Sequence, residues 1–189
     1  MTDLIIKVLK YAALGIIIVP LSILTHEFGH YLAYHFFGAS NVQLHSVSVS
    51  ADTDMLSGFQ LATTNIIGPI ISYLTIGLAW FFTRKKYVPF WVIFGLAAPF
   101  GRIVNAVYIY FRALGYNPNP NFDEYNFSRN INIEPLFPAI ITTLIVIVTM
   151  FIFLRKAWLE GNFKELAVVI FSFICGLTVW ATIGGFILP

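Results

Sequence analysis

Cysteine and charge are what this sequence lacks. Its 189 residues include one cysteine, Cys175, so no intramolecular disulfide framework is possible. Only 11% of the residues are charged, less than half the roughly 25% of a soluble domain. That scarcity excludes a charge-solvated disordered chain and argues against a single water-soluble domain. A net charge of +2 leaves no basic footprint, so no nucleic-acid partner is expected. What is abundant is apolar surface, with 58% hydrophobic residues and a mean hydropathy of +0.81. The class that remains is an integral membrane protein, long enough for about five or six spans of roughly 20 residues each.

Charge-poor apolar runs predict five spans. The first runs from Leu4 to about Leu24 and continues as a helix to about Phe37, with a bend expected at Pro20. Lys7 and Lys10 precede its apolar stretch, but no small-residue cleavage site follows, so it is not read as a signal peptide. The others are Gly58–Thr83, Val88–Phe111 (interrupted only by Arg102), Leu136–Leu154 and Leu166–Leu188. No repeat or linker divides the chain, and residues 1–189 are expected to form one integral membrane domain. The fold class is all-α and polytopic, with a short strand-like segment after the first helix.

Basic residues orient these spans. Lys7, Lys10, Arg84, Lys85, Lys86, Arg155, Lys156 and Lys164 fall on one side, against Arg112 and Arg129 on the other. The N-terminus is therefore expected in the cytoplasm. The connections 40–57 and 112–134 share the opposite face. His26 lies about 33 Å along the first helix from Leu4, near that same face.

The segment His26-Glu27-Phe28-Gly29-His30 is HExxH. Two histidines at i and i+4 lie on one helix face and can reach one tetrahedral zinc. Glu27 is turned about 100° away. It is placed to take a proton from a metal-activated water and hand it to a leaving amine. Two histidines and a glutamate inside an apolar helix are costly, which favours a metal site over a chance match. The ordinary alternative is a polar cluster between helices or along a pore.

The stretch from His26 to Gly38, HEFGHYLAYHFFG, resembles the first core helix of the site-2 protease family of intramembrane zinc metalloproteases. Gly68-Pro69 in the second span resembles that family's GPxxN element, with Ser72 standing where the element has Asn. The match covers about residues 20–82 and implies a compact member without a PDZ domain. It also implies a third zinc ligand, an Asp in the third core helix, usually in an Asp-Gly context. No Asp-Gly occurs here. Asp123, after Asn117-Pro118-Asn119-Pro120, is the expected ligand, with Glu124, Asp54 and Asp52 as alternatives. The ordinary reading of Asp123 is a solvated loop acid or a helix N-cap.

By the same resemblance, Asn105 is expected to hold a substrate carbonyl or the oxyanion, or else to make an interhelical hydrogen bond. Asn65, just before Gly68-Pro69, is a second substrate-binding candidate. Arg102 is expected to snorkel to an interface, with pairing to an acid or oxyanion stabilisation as the alternative. His35 is expected to pack, and His45 to be an ordinary polar loop residue. Residues 42–50 alternate apolar and polar with a break at His45-Ser46, which predicts a bulged strand or a hairpin able to capture an extended substrate.

The expected function is zinc-dependent cleavage of a peptide bond in or near a substrate's transmembrane helix, with one Zn2+, a membrane-protein substrate and the lipid bilayer as partners. The alternative is a non-proteolytic metal-binding membrane protein, such as a divalent-metal carrier or regulatory pseudoprotease, motivated by Ser72 and the missing Asp-Gly. A weaker third reading keeps the zinc hydrolase with a lipid or small-amide substrate. The resemblance implies a zinc nearer the cytoplasm, whereas the charge count puts it nearer the other face.

Overall fold

A computed structural model describes residues 2–188 of the chain. In order, the elements are α1 (Thr2–Phe36), β1 (Ser40–Leu44), β2 (Val49–Asp52), α2 (Gly58–Thr83), α3 (Pro89–Ala97), a 3-10 turn (Phe100–Arg102), α4 (Ile103–Ala113), α5 (Asp123–Asn130) and α6 (Leu136–Ile187). Five helical segments are long and apolar enough to cross a membrane: Asp3–Phe36, Gly58–Thr83, Pro89–Ala113, Leu136–Glu160 and Phe163–Ile187. The expected five-span organisation is therefore present, and it is consistent with a multi-pass membrane protein. Large apolar side chains such as Leu9, Leu74, Phe151 and Ile174 are exposed on the outer faces of the helices. Lipid chains tolerate such surfaces, whereas water does not.

Two expectations are refined. The third span, expected at Val88–Phe111, is present at Pro89–Ala113 but is not one continuous α-helix. It divides into α3 and α4 around Pro99, which caps the intervening 3-10 turn. Proline offers no N–H and its ring crowds the carbonyl four residues earlier, so the α ladder cannot continue. The turn carries Arg102 into the protein interior, where the side chain is buried.

The connection expected at 155–165 is also different, because helical hydrogen bonding continues through it from Leu136 to Ile187. A straight helix would separate Thr142 from Trp180 by about 57 Å. Yet Thr142 lies beside Glu124, and Trp180 Nε1 donates to the Ser46 carbonyl at 3.1 Å. Their chain neighbours Asp123 and Val47 line one cleft. The two spans of α6 therefore run antiparallel.

The first and last spans pack through small residues. A side chain on Gly15 would strike the Ser172 carbonyl, and one on Gly176 would strike the Gly15 carbonyl. Small residues permit the close backbone approach that dispersion needs between helices in lipid. Away from the histidines, Glu165 is buried and accepts hydrogen bonds from Lys7, Tyr11 and Tyr87. That buried carboxylate is satisfied by three donors, which tie the first span, the start of the third and the fifth together. Ile18, Val92, Ile93, Phe94 and Phe153 fill the apolar core between these elements.

The segment after α1 is a hairpin, one of the two forms expected. β1 and β2 are antiparallel, with Leu44 opposite Val49 and Gln43 opposite Ser50, and the register shifts between Ser40 and Gln43. Asn41 sits at φ 51° within that irregularity, and its amide donates to Asp52 at 2.5 Å. Ser46 and Val47 form the tight turn, closed by His45 N–H to the Ser48 carbonyl at 2.8 Å. The last span holds this turn at its tip. Ser46 N–H donates to the Leu188 carbonyl at 3.1 Å, while its own carbonyl receives Trp180.

Candidate metal centre

His26, Glu27 and His30 lie on α1, one turn apart as their spacing requires, and all three are buried. α2 crosses them at Gly68. A side chain there would collide with both imidazoles, so the glycine is a packing requirement of the site. Gly29 completes the contact, since its missing side chain leaves room for the Gly68 backbone and for Ile67 and Ile71.

α2 also fixes both rings. The Thr64 carbonyl lies 2.6 Å from His30 Nδ1. A carbonyl can only accept, so Nδ1 carries a proton, and whenever the ring is neutral its Nε2 presents a lone pair. Ser72 Oγ lies 2.9 Å from His26 Nδ1. Each histidine is thereby anchored at Nδ1 with Nε2 turned inward, the arrangement that second-sphere partners give to metal-binding histidines.

Asp123 is the first residue of α5, after the extended Phe122. Its Oδ2 lies 3.1 Å from His26 Nε2 and 3.4 Å from His30 Nε2, and the two Nε2 atoms are 3.1 Å apart. Ligand atoms about 2.1 Å from a tetrahedral zinc stand roughly 3.4 Å from one another. The three atoms have that spacing and the nitrogen–oxygen chemistry that zinc accepts, so the residues present fit one such ion. Burial works against the charged Asp123 carboxyl, but the two imidazoles and the Arg102 guanidinium overcome it. They hold the group well below the usual carboxylate range.

Two clefts meet at this cluster. One, about 470 Å³, is mainly polar and is lined by Glu27, His30, Tyr34, Asn65, Asp123 and the hairpin residues Val47–Val49. The other, about 330 Å³, is mainly apolar and lies between α1, α3 and the last span, at Val19, Ala97, Ala98, Phe173 and Leu177. Glu27, Val47 and Arg102 belong to both, so Glu27 faces the junction.

Of the residues expected from sequence, His26, Glu27, His30, Asp123 and Asn65 come together. Asn105 does not join them. It is fully buried, its amide donates to the Arg102 carbonyl at 3.0 Å, and its Oδ1 has no hydrogen-bond partner among the described residues. Arg102 does not snorkel. It binds Asp123 at 2.5 Å and Glu124 at 3.3 Å, the alternative expectation for it. Glu124 pairs with Arg102 and is not one of the three clustered ligand atoms. Asp52 instead accepts from Asn41. His35 is exposed, with its ring edge-on to Tyr31 at 4.5 Å. Thr64 and Ser72 were not foreseen as supports, although both lie within two turns of the Gly-Pro element.

Comparison with family models, curated proteins and solved structures finds no match to the chain.

Proposed function

We propose that this protein is a zinc-dependent intramembrane endopeptidase of the site-2 protease type. One observation carries the reading: His26 Nε2, His30 Nε2 and Asp123 Oδ2 converge at the spacing of a tetrahedral site beside Glu27. Zinc bound there would supply Lewis acidity and lower the pKa of a water toward about 7. Glu27 is the general base that takes the water's proton and returns it to the leaving amine. The polar cleft admits water and an extended peptide to Glu27, and the hairpin edge at Val47–Val49 offers backbone groups that can pair with that peptide. A transmembrane helix must unwind before its peptide bonds are accessible, and an edge strand beside the base stabilises the unwound form. The substrate is a membrane protein, met within the bilayer. The excess of basic residues on the N-terminal side supports a cytoplasmic N-terminus.

A second reading is favoured by the ion pair between Arg102 and Asp123. A cation already seated on the third ligand suits a metal-binding protein that regulates or carries rather than cleaves.

The deciding experiment measures zinc content and cleavage of a panel of transmembrane-helix reporters by wild type and Glu27→Gln. The first reading expects zinc in both proteins and a loss of cleavage of about 10²–10⁴-fold in the variant. Zinc in both without cleavage in either favours the second reading. Metal in neither would falsify the metal centre.

A further inference from the structure

Arg102 is the buried cation that the proposed chemistry leaves without a task. Its Nη1 lies 2.5 Å from Asp123 Oδ2 and 3.3 and 3.4 Å from the two Glu124 oxygens, and its Nη2 lies 3.3 Å from His26 Nε2. Asp123 Oδ2 therefore faces the guanidinium and the point where the ligand atoms converge. Glu124, next along α5, is fully buried and touches neither histidine in any hydrogen bond or ion pair among the described residues. Thr142 Oγ1 lies 3.4 Å from Glu124 Oε1 and 2.8 Å from the Tyr73 hydroxyl, so the carboxylate has a second partner besides Arg102.

The arginine thus has two adjoining acidic seats, only one of which belongs to the ligand set. Counting Asp123, Glu124 and Arg102 together, the cluster carries one net negative charge, and a divalent cation brings it to one net positive. Without Glu124 the same addition leaves the buried cluster one positive charge richer, which a low-dielectric interior disfavours.

We propose that Arg102 and Glu124 are positioning residues of the metal centre. Arg102 is the counterion of Asp123 when the three ligands hold no metal. Glu124 keeps the guanidinium as Asp123 turns to the metal, so the pair sets the affinity of the site. The inference rests on the metal-centre half of the proposed function and is independent of proteolysis.

The test measures zinc dissociation constants, by competition with a chromophoric chelator, for wild type, Glu124→Gln, Arg102→Met and the double variant in detergent. Glu124→Gln leaves Arg102 with Asp123 alone and should weaken zinc binding by at least about tenfold. Arg102→Met should bind zinc more tightly than wild type. Adding Arg102→Met to Glu124→Gln should recover most of the loss, and Glu124→Asp should lie between Glu124→Gln and wild type. Repair in the double variant is also what a merely structural ion pair would give, because it removes the unpaired buried charge. Arg102→Met alone separates the two: a structural role weakens zinc binding there, which would overturn the inference, whereas a counterion of Asp123 has binding strengthen. Wild-type affinity in Glu124→Gln, or a double variant no better than that single one, would overturn the inference and leave the metal centre standing. A wild-type chain that takes up no zinc would overturn both.

Discussion

Ser72 on α2 holds the ring of His26 on α1, with Oγ 2.9 Å from Nδ1. Ser72 is buried, so this hydroxyl has no water to replace it. The contact passes between helices and sets which nitrogen of His26 faces Asp123.

Ser72→Ala removes that contact and leaves His26 Nδ1 buried without its partner. Zinc affinity should fall about 10–100-fold, with the helical content of the purified protein unchanged. Chelator competition measures the first and circular dichroism the second. An unchanged affinity would mean that packing alone orients the ring.

Gly68→Ala tests the close approach of α2. The added methyl has to displace one or both imidazoles, because the three atoms nearest to it all belong to them. Zinc occupancy should drop below half of the wild-type value under conditions that saturate wild type, which corresponds to a loss of about tenfold or more in affinity. Gly29→Ala is the internal comparison. Its methyl meets first the end of the Ile71 side chain, which can move, so its effect should be the smaller. Equal effects would remove the special role given to Gly68.

The five-span arrangement puts the hairpin and the 84–86 turn on opposite membrane faces. In a Cys175→Ala background no other thiol remains. Ser50→Cys and Lys85→Cys then introduce single thiols at positions that are exposed. An impermeant maleimide should label Ser50→Cys in right-side-out vesicles and reach Lys85→Cys only after permeabilisation. Labelling of both from one side would break the five-span arrangement. Labelling with the sides exchanged would keep it and reverse the orientation proposed for the N-terminus.

Much of the site was legible because it is local. His26 and His30 are four residues apart on one helix, and helical geometry alone puts them on one face. The span count was legible because bilayer thickness sets a length and burial of charge sets a composition. Less was legible where long-range contacts decide. The break at Pro99 has a local signal in the proline, but nothing local says that it delivers Arg102 to Asp123 rather than to the membrane surface. Glu124 read as a spare ligand, and its burial against Arg102 and Thr142 appears only when α5 packs on α2 and α6. The family resemblance gave Asn105 a substrate carbonyl or the oxyanion, with an interhelical hydrogen bond as the alternative. The helix turns it instead toward its own backbone, where the Arg102 carbonyl accepts from it.

By itself the amino-acid sequence determined an apolar chain of five spans, a pair of metal-capable histidines with a glutamate between them, and a strand-like segment after the first helix. These follow from hydrophobic thickness, from the 3.6-residue turn and from the period of two in strands, all of which act over a few neighbouring residues. Only the tertiary structure brought Asp123, 97 residues from His26, against the two histidines. It also decided that Ser72 and Thr64 aim the rings, and that Arg102 stands between two acids. Those choices depend on how the helices cross and on which buried charges must find partners when water is gone. No short stretch of sequence carries that information.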